Sequence, residues 1–325
     1  MDRPQPRRTF GRLAGSVLSI ALAAGLVACG SSSSSKSPAP SGSASASAVL
    51  PSTPGDGKKF YVSIGDSYAA GYQPSATGNI GTTSTTGFVY RLAAEATVNG
   101  KKLTVVNFAC AGATTTSVLQ QKGCGPGGLG PGAVNYPDTT QAKAATEFIA
   151  AHRQDIGLIS VSISGNDVTA CAKVSVASVA TCLSTALVKT KANLAVLLTG
   201  LRGAAGPDTP IVGITYPDVV LGAYVNNPTS GKTLAALSVT AFRSLINPVL
   251  KAAYDAVKGT FIDVTAASDA YVPFTQTTTL APYGTIPASV AKVCELTFYC
   301  TLKDIHPHDA GYQFIADLIK KALPA

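Results

Sequence analysis

From Lys58 onward, short apolar runs alternate with apolar positions at helical spacing. Phe60 to Ile64 is a β-prone apolar run that stops at Gly65, which predicts a first strand. Phe88, Val89, Leu92, Ala93 and Ala96 recur at helical spacing, and Leu103 to Phe108 reads as a second strand. Thr140 to Ala151 is a predicted helix, followed by a third strand from Gly157 to Ile163. Val179, Cys182, Leu183, Ala186 and Leu187, then Leu194, Leu197, Leu198 and Leu201, mark one long amphipathic helix. Pro210 to Thr215 is a fourth strand, and Leu234 to Val257 a helix with an expected kink at Pro248. Thr260 to Val264 is a short fifth strand. Ile315, Leu318, Ile319, Ala322 and Leu323 close the chain as an amphipathic helix.

Apolar strands alternating with helices imply an α/β fold whose parallel sheet is covered on both faces. In such a sheet, chemistry belongs beyond the carboxyl ends of the strands, at a topological switch point. Polar blocks stand there after each of the first three strands. They are Gly65-Asp66-Ser67-Tyr68, then Asn107 to Thr114, then Ser164-Gly165-Asn166-Asp167. A fourth block, Asp304-Ile305-His306-Pro307, precedes the last helix.

The chain has 325 residues, 46% of them hydrophobic and 13% charged, which suits a packed core and excludes wholesale disorder. Its formal charge is +8, of which residues 1–28 carry +3. The rest is scattered lysine rather than a run, which argues against a nucleic-acid partner. Arg7, Arg8 and Arg12 form a basic segment ahead of apolar Leu13 to Val27, too short and poorly flanked for a stable membrane span. Leu26 to Gly30 resembles a bacterial lipobox with cleavage before Cys29, whose two acyl chains would suffice for anchoring. Arg7-Arg8-Thr9-Phe10 also resembles a twin-arginine signal, which leaves the export route open. Residues 1–28 are therefore read as a lipoprotein-type signal peptide. Residues 29–57 are the lipidated Cys29 and a flexible Ser/Ala/Pro tether, and 58–325 are one domain. The expectation is an exported monomer, lipid-anchored on the extracytoplasmic face of the cell membrane.

Assigning Cys29 to the lipid leaves six of seven cysteines, in three pairs of close neighbours, as an oxidising compartment would allow. Six cysteines permit about 15 connectivities. Nearest-neighbour pairing gives Cys110–Cys124, Cys171–Cys182 and Cys294–Cys300. No Cys-x-x-Cys pair or histidine-rich tract exists to hold zinc, and no metal is expected.

A serine hydroxyl attacks poorly until a neutral imidazole accepts its proton. Ser67 sits at a strand-to-helix turn, where its hydroxyl would project at the sheet's edge. His306 is the candidate base. His152, at a helix-to-strand junction beside Arg153 and Asp155, is read as a solvated surface residue, and His308 as setting the last helix. Attack creates an oxyanion, which the backbone N–H groups of Ser67 and Gly112 and the Asn166 amide would hold. Asp66 and Asp167 are read as bracing their turns.

Ser67, Gly112, Asn166 and His306 occur in the order, and in the blocks, that resemble the SGNH or GDSL hydrolases, from about Phe60 to the C-terminus. The resemblance implies a three-layer α/β/α sandwich with a five-stranded parallel sheet of order 2-1-3-4-5. It also implies a serine ester hydrolase that acts through an acyl-enzyme, without cofactor, on acyl esters of lipids or small molecules. The family usually places its acid three residues before the histidine, which here is Lys303. Asp304 stands two before, so either Asp304 or a backbone carbonyl orients the ring. An acyltransferase or polysaccharide deacetylase would use the same site. A non-catalytic surface lipoprotein that binds lipid or glycan is the alternative of a different class. Gly123 to Asn135 and Tyr271 to Tyr299 are long loops expected to shape the acyl pocket, with Phe274, Tyr283 and Phe298 lining it.

Overall fold

Alternation within the first strand sets the layers. The computed structural model describes residues 50–75, 81–174, 176–227 and 229–324. The expected signal peptide, Cys29 and most of the tether lie outside the described residues. Strand β1 is Lys58–Gly65. Its Phe60, Val62 and Ile64 join one buried cluster, and Tyr61 between them joins another. Strands β2 Thr97–Val98, β3 Lys101–Asn107, β4 Ile156–Ser162, β5 Ile211–Ile214 and β6 Thr260–Ile262 complete the sheet. The spatial order is β2-β3-β1-β4-β5-β6. The five strands from β3 to β6 in that order are parallel, which is the 2-1-3-4-5 arrangement.

The sixth strand corrects the expected count of five. Strand β2 pairs antiparallel with β3, Val98 against Lys101. Asn99 and Gly100 between them both have positive φ, 50° and 71°. A two-residue Asn-Gly turn with this geometry matches the right-handed twist of flanking strands and closes a hairpin.

Helices cover both faces. On the side of Phe60 lie α4 Gln141–Ala151, α6 Val176–Ala205 and α7 Gly231–Asp255, which contribute Phe148, Ile149, Leu194, Leu198, Leu201, Leu250 and Tyr254. On the side of Tyr61 lie α2 Phe88–Glu95 and α9 Asp309–Ala322, with Phe88, Leu92, Tyr312, Ile315 and Ile319. The short helices α1 Ser67–Ala70, α3 Thr115–Gln120 and α5 Gly165–Thr169 follow β1, β3 and β4. Helix α8 Ala288–Leu296 tops a separate small cluster with Leu221, Ala235 and Ile286.

The kink expected at Pro248 takes the form of a π-helical segment, Phe242–Ile246, inside α7. A proline ring crowds the carbonyl four residues back, here that of Ser244, and the wider turn relieves the crowding. His152 is packed rather than solvated: its ring lies 4.4 Å from Phe148 and 5.2 Å from Phe60.

Three disulfides join Cys110 to Cys124, Cys171 to Cys182 and Cys294 to Cys300, with Cα–Cα distances of 5.6, 5.6 and 5.2 Å. The third ties α8 to the turn that leads into Asp304.

Two buried groups generate tests. Gly213 in β5 faces Tyr254 of α7 so closely that an added Cβ would overlap the ring. Gly213→Ala is expected to lower stability by about 1–3 kcal/mol or more, because strand and helix must separate. Gly203→Ala, in α6 with open space around it, should raise stability by up to about 1 kcal/mol. Thermal melts of both variants check the contrast.

Asp218, after β5, is wholly buried and accepts a hydrogen bond from Ser238 Oγ at 2.8 Å. Burial pushes its carboxyl up to about 7. A folded-state value above the unfolded one means that the folded chain holds the extra proton between about pH 4 and 7. Stability from this group is therefore present at acid pH and lost as pH rises through 7. Asp218→Asn should flatten the melting temperature between pH 5 and 8 relative to wild type, and an unchanged slope would exclude Asp218 as its source.

Candidate active site

The end of β1 is held from three sides before it reaches the nucleophile candidate. Gly65 has φ +155°, and a Cβ there would collide with the carbonyl of Ser162 on β4. Only glycine fits so close to a neighbouring strand. The buried Gln141 side chain accepts from Gly65 N–H at 2.8 Å and donates to its carbonyl at 3.1 Å. Cys110 N–H donates to the same carbonyl at 3.0 Å. Sequence reading missed Gln141; it lies 76 residues away with no local signal.

Asp66 then caps α1. Its Oδ1 accepts from Tyr68 N–H at 3.0 Å and its Oδ2 from Tyr216 Oη at 2.6 Å. The carboxyl is 1% exposed, and burial pushes it up to about 7 against the lowering effect of those hydrogen bonds. Tyr216 follows the end of β5, but with no motif around it the sequence did not single it out.

Ser67 is the first residue of α1 and 6% exposed. Its Oγ lies 2.8 Å from His306 Nε2, across 239 residues of chain. His306 Nδ1 lies 2.7 Å from Asp304 Oδ1, and His306 N–H donates to the same oxygen at 2.9 Å. The two-residue spacing thus lets one carboxylate oxygen take both the ring and the backbone of its neighbour. Burial alone would raise the Asp304 carboxyl, but the hydrogen bonds and charge of His306 outweigh it and hold the group below its usual value. Lys303, which stands where the family usually has its acid, is exposed and left-handed at φ 56°, ending the turn Tyr299–Leu302. A hydroxyl, imidazole and carboxylate at these distances can pass a proton from the serine to the ring.

The second and third blocks are pinned to each other. Asn166 Nδ2 donates to the carbonyl of Ala113 at 2.9 Å. Asp167 accepts from Thr115 N–H at 2.9 Å and Thr115 Oγ1 at 2.6 Å, bracing the start of α3. Gly112 is exposed with φ +83° and open space around it. The N–H groups of Ser67 and Gly112 meet no acceptor among the described residues.

A cavity of about 30 Å³ adjoins Ser67. Asn166 lines it, with Val168, Tyr216, Pro217, Val219, Phe242 and Ile305 supplying apolar wall. Gly112 lines a different cavity, of about 300 Å³, beside Cys110 and Thr114. The three aromatics expected to line the acyl pocket stand elsewhere. Phe274 packs edge-on to Tyr224, Tyr283 donates to the carbonyl of Cys300, and Phe298 packs on His308. Phe242, the first residue of the π-helical turn in α7, lines the cavity beside Ser67 instead. Among the described residues, no group of three or more His, Cys, Asp or Glu is arranged to hold a metal ion.

Among curated proteins, none matches the chain. An extracellular lipase from Streptomyces rimosus is 20% identical, covers 81% of this chain and 99% of its own, and superposes with a TM-score of 0.49. A lipase from a goat rumen metagenome gives 14%, 82%, 97% and 0.49 for the same quantities. An acetyl-xylooligosaccharide esterase from Geobacillus stearothermophilus gives 16%, 81%, 93% and 0.44. Residues 63–314, spanning all four polar blocks, match the GDSL-like lipase/acylhydrolase family, and the chain belongs to that family of ester hydrolases.

Proposed function

We propose that this ester hydrolase works through an acyl-enzyme formed on Ser67. Ser67 Oγ attacks the ester carbonyl carbon while His306 Nε2 takes the hydroxyl proton. Asp304 holds the ring in the tautomer that leaves Nε2 free and balances the imidazolium. The Ser67 and Gly112 N–H groups and the Asn166 amide hold the oxyanion. Collapse of the tetrahedral adduct breaks the C–O bond to the alcohol, which leaves with the proton from His306. Water then attacks the acyl-enzyme, gives its proton to His306, and releases the acid as that proton returns to Ser67. The carrying observation is the unbroken contact from Ser67 Oγ to His306 Nε2 at 2.8 Å and from Nδ1 to Asp304 at 2.7 Å.

The acyl group would enter the small apolar cavity between Val168, Val219 and Phe242. About 30 Å³ holds one or two waters. That volume favours acetyl to butyryl esters over long acyl chains. Three disulfides support an oxidising compartment. With the lipobox-like sequence before Cys29, they support an exported protein anchored by lipid at that cysteine.

A nitrophenyl ester series run with wild type and variants tests the mechanism. Acetyl to butyryl esters should exceed octanoyl by at least about tenfold in kcat/KM, since a chain longer than the cavity must displace its packed walls, at about 1–3 kcal/mol. Ser67→Ala should lower kcat by about 10⁴-fold or more, and Asp304→Asn by about 10²- to 10⁴-fold. Residual wild-type rates in Ser67→Ala would remove Ser67 from the chemistry. Cys29→Ser should move the protein from the membrane fraction to the soluble one; retention at the membrane would reject the anchor.

A further inference from the structure

Resting on the Ser67–His306 reading, we propose that Tyr72 is a positioning residue that stabilises the His306 imidazolium through the π-face of its ring. The ring centroids of Tyr72 and His306 lie 4.4 Å apart, with planes inclined at 47°. A cation within about 6 Å of an aromatic centroid is attracted by the ring's negative face. His306 becomes such a cation when it takes the serine proton. Asp304 faces the ring's Nδ1, Ser67 its Nε2, and Tyr72 packs against the ring itself. The imidazole side chain is 12% exposed, so little water competes for that charge.

Tyr72 is held as a fixed wall rather than as a loose surface ring. It pairs with Thr83 in a short antiparallel hairpin, Tyr72–Gln73 against Thr82–Thr83. Its carbonyl accepts from Tyr312 Oη of α9 at 2.7 Å, and its hydroxyl accepts from Gly81 N–H at 3.1 Å. Gln73 next to it donates to Asp309 at the start of α9, at 3.3 Å. The nucleophile and this wall are only five residues apart, so one short segment approaches His306 from two directions. Tyr68, between them, adds a more distant ring at 5.9 Å and donates its hydroxyl to the carbonyl of Ile305.

The titratable groups that face the imidazole are Asp304 in its own turn, Tyr68 in the nucleophile turn and Tyr72 in the hairpin; behind them, Asp66 acts on Tyr68, and Asp66 and Asp309 act on Tyr312. A π-face acts on the cation and not on the neutral ring. Weakening it should therefore slow acylation and also move the acidic limb of the kcat/KM profile to lower pH. A purely steric contact would change the plateau and leave the limb in place.

The test replaces Tyr72 in the full chain with phenylalanine and then with mono-, di- and trifluorophenylalanine, which drain the π-face with little change in shape. Rates on nitrophenyl acetate are read as pH profiles. Phenylalanine should stay within about twofold of wild type. Along the fluorinated series kcat/KM should fall steadily, by about 3- to 30-fold in total, with KM nearly constant and the acidic limb descending. A flat series, or a fall with an unmoved limb, overturns the proposal. Ser67→Ala assayed alongside separates the two readings. If that variant is inactive and the series is flat, Tyr72 alone is wrong; if it stays active, the serine reading fails first. Equal melting temperatures across the series exclude misfolding as the cause of a fall.

Discussion

Everything at the site depends on one hydrogen bond, 2.8 Å long, between two residues that no local structure could bring together. Ser67 is placed by the sheet and His306 by the segment between α8 and α9. The sheet side is rigid: Gly65 is clasped by Gln141, Cys110 and the close passage of β4. The histidine side has no strand of its own. Its rigidity comes from Cys294–Cys300 just upstream, from the backbone pairing of Phe298 with the His306 carbonyl at 3.0 Å, and from the Tyr68 hydroxyl on Ile305. The disulfide closes residues 294–300 and so fixes where the segment to His306 begins, leaving fewer conformations to lose when the bond to Ser67 forms.

Two carboxylates beside that bond are driven in opposite directions by their surroundings. Asp66 is shut away from water and meets only neutral donors, Tyr216 and the Tyr68 amide, so the charged form is disfavoured. Asp304 is only partly buried and meets a ring that can carry positive charge, so its charged form is favoured. The division suits a proton relay. An ionised Asp304 attracts the imidazolium, while burial raises the Asp66 carboxyl to about 7, so the negative charge beside Ser67 falls away as pH drops below neutrality.

The succession of strands and helices and the four polar blocks were legible because they follow from local pattern: apolar runs ending in Gly, Asn and Ser mark strand ends wherever the chain places them, whereas the sheet order was implied by the family resemblance alone. The hairpin strand β2 was missed although Asn99-Gly100 is a strong turn signal, because two residues of strand are too few for periodicity to register. The roles of Gln141, Tyr216 and Tyr72 were not legible, because each acts through one contact with a segment remote in sequence. His152 misled for a related reason: charged neighbours suggested a solvated position, whereas packing on Phe60 and Phe148 is a tertiary fact. The segment from Tyr271 to Tyr299, expected as a loop, misled more instructively: it folds as a hairpin, Thr277–Leu280 against Gly284–Pro287, followed by α8. Its rings are consumed in bracing a separate cluster, and the cavity wall comes instead from the π-helical turn of α7.

The chain contains no tryptophan and 12 tyrosines, and the region around Ser67 shows what tyrosine supplies there. Tyr68 reaches Ile305, Tyr216 reaches Asp66 and Tyr312 reaches Tyr72, each with one directed hydroxyl at the end of a rigid ring. Tyr68 also stacks edge-on with Tyr216 at 4.9 Å and with Tyr312 at 6.2 Å, so the three hydroxyl contacts share one aromatic core. Such a ring carries only two side-chain torsions, so little conformational entropy is lost in holding the contact, and its flat body excludes water from the bond it makes. Phenylalanine would keep the stacking and lose the reach; serine would keep the hydroxyl and lose the packing. The same rings fill the space beside the nucleophile, which is why the cavity left there is small. On the proposed mechanism, positioning the relay and restricting the acyl group would be two results of one packing solution, and enlarging the cavity would loosen the aromatic core that aligns Ser67 with His306.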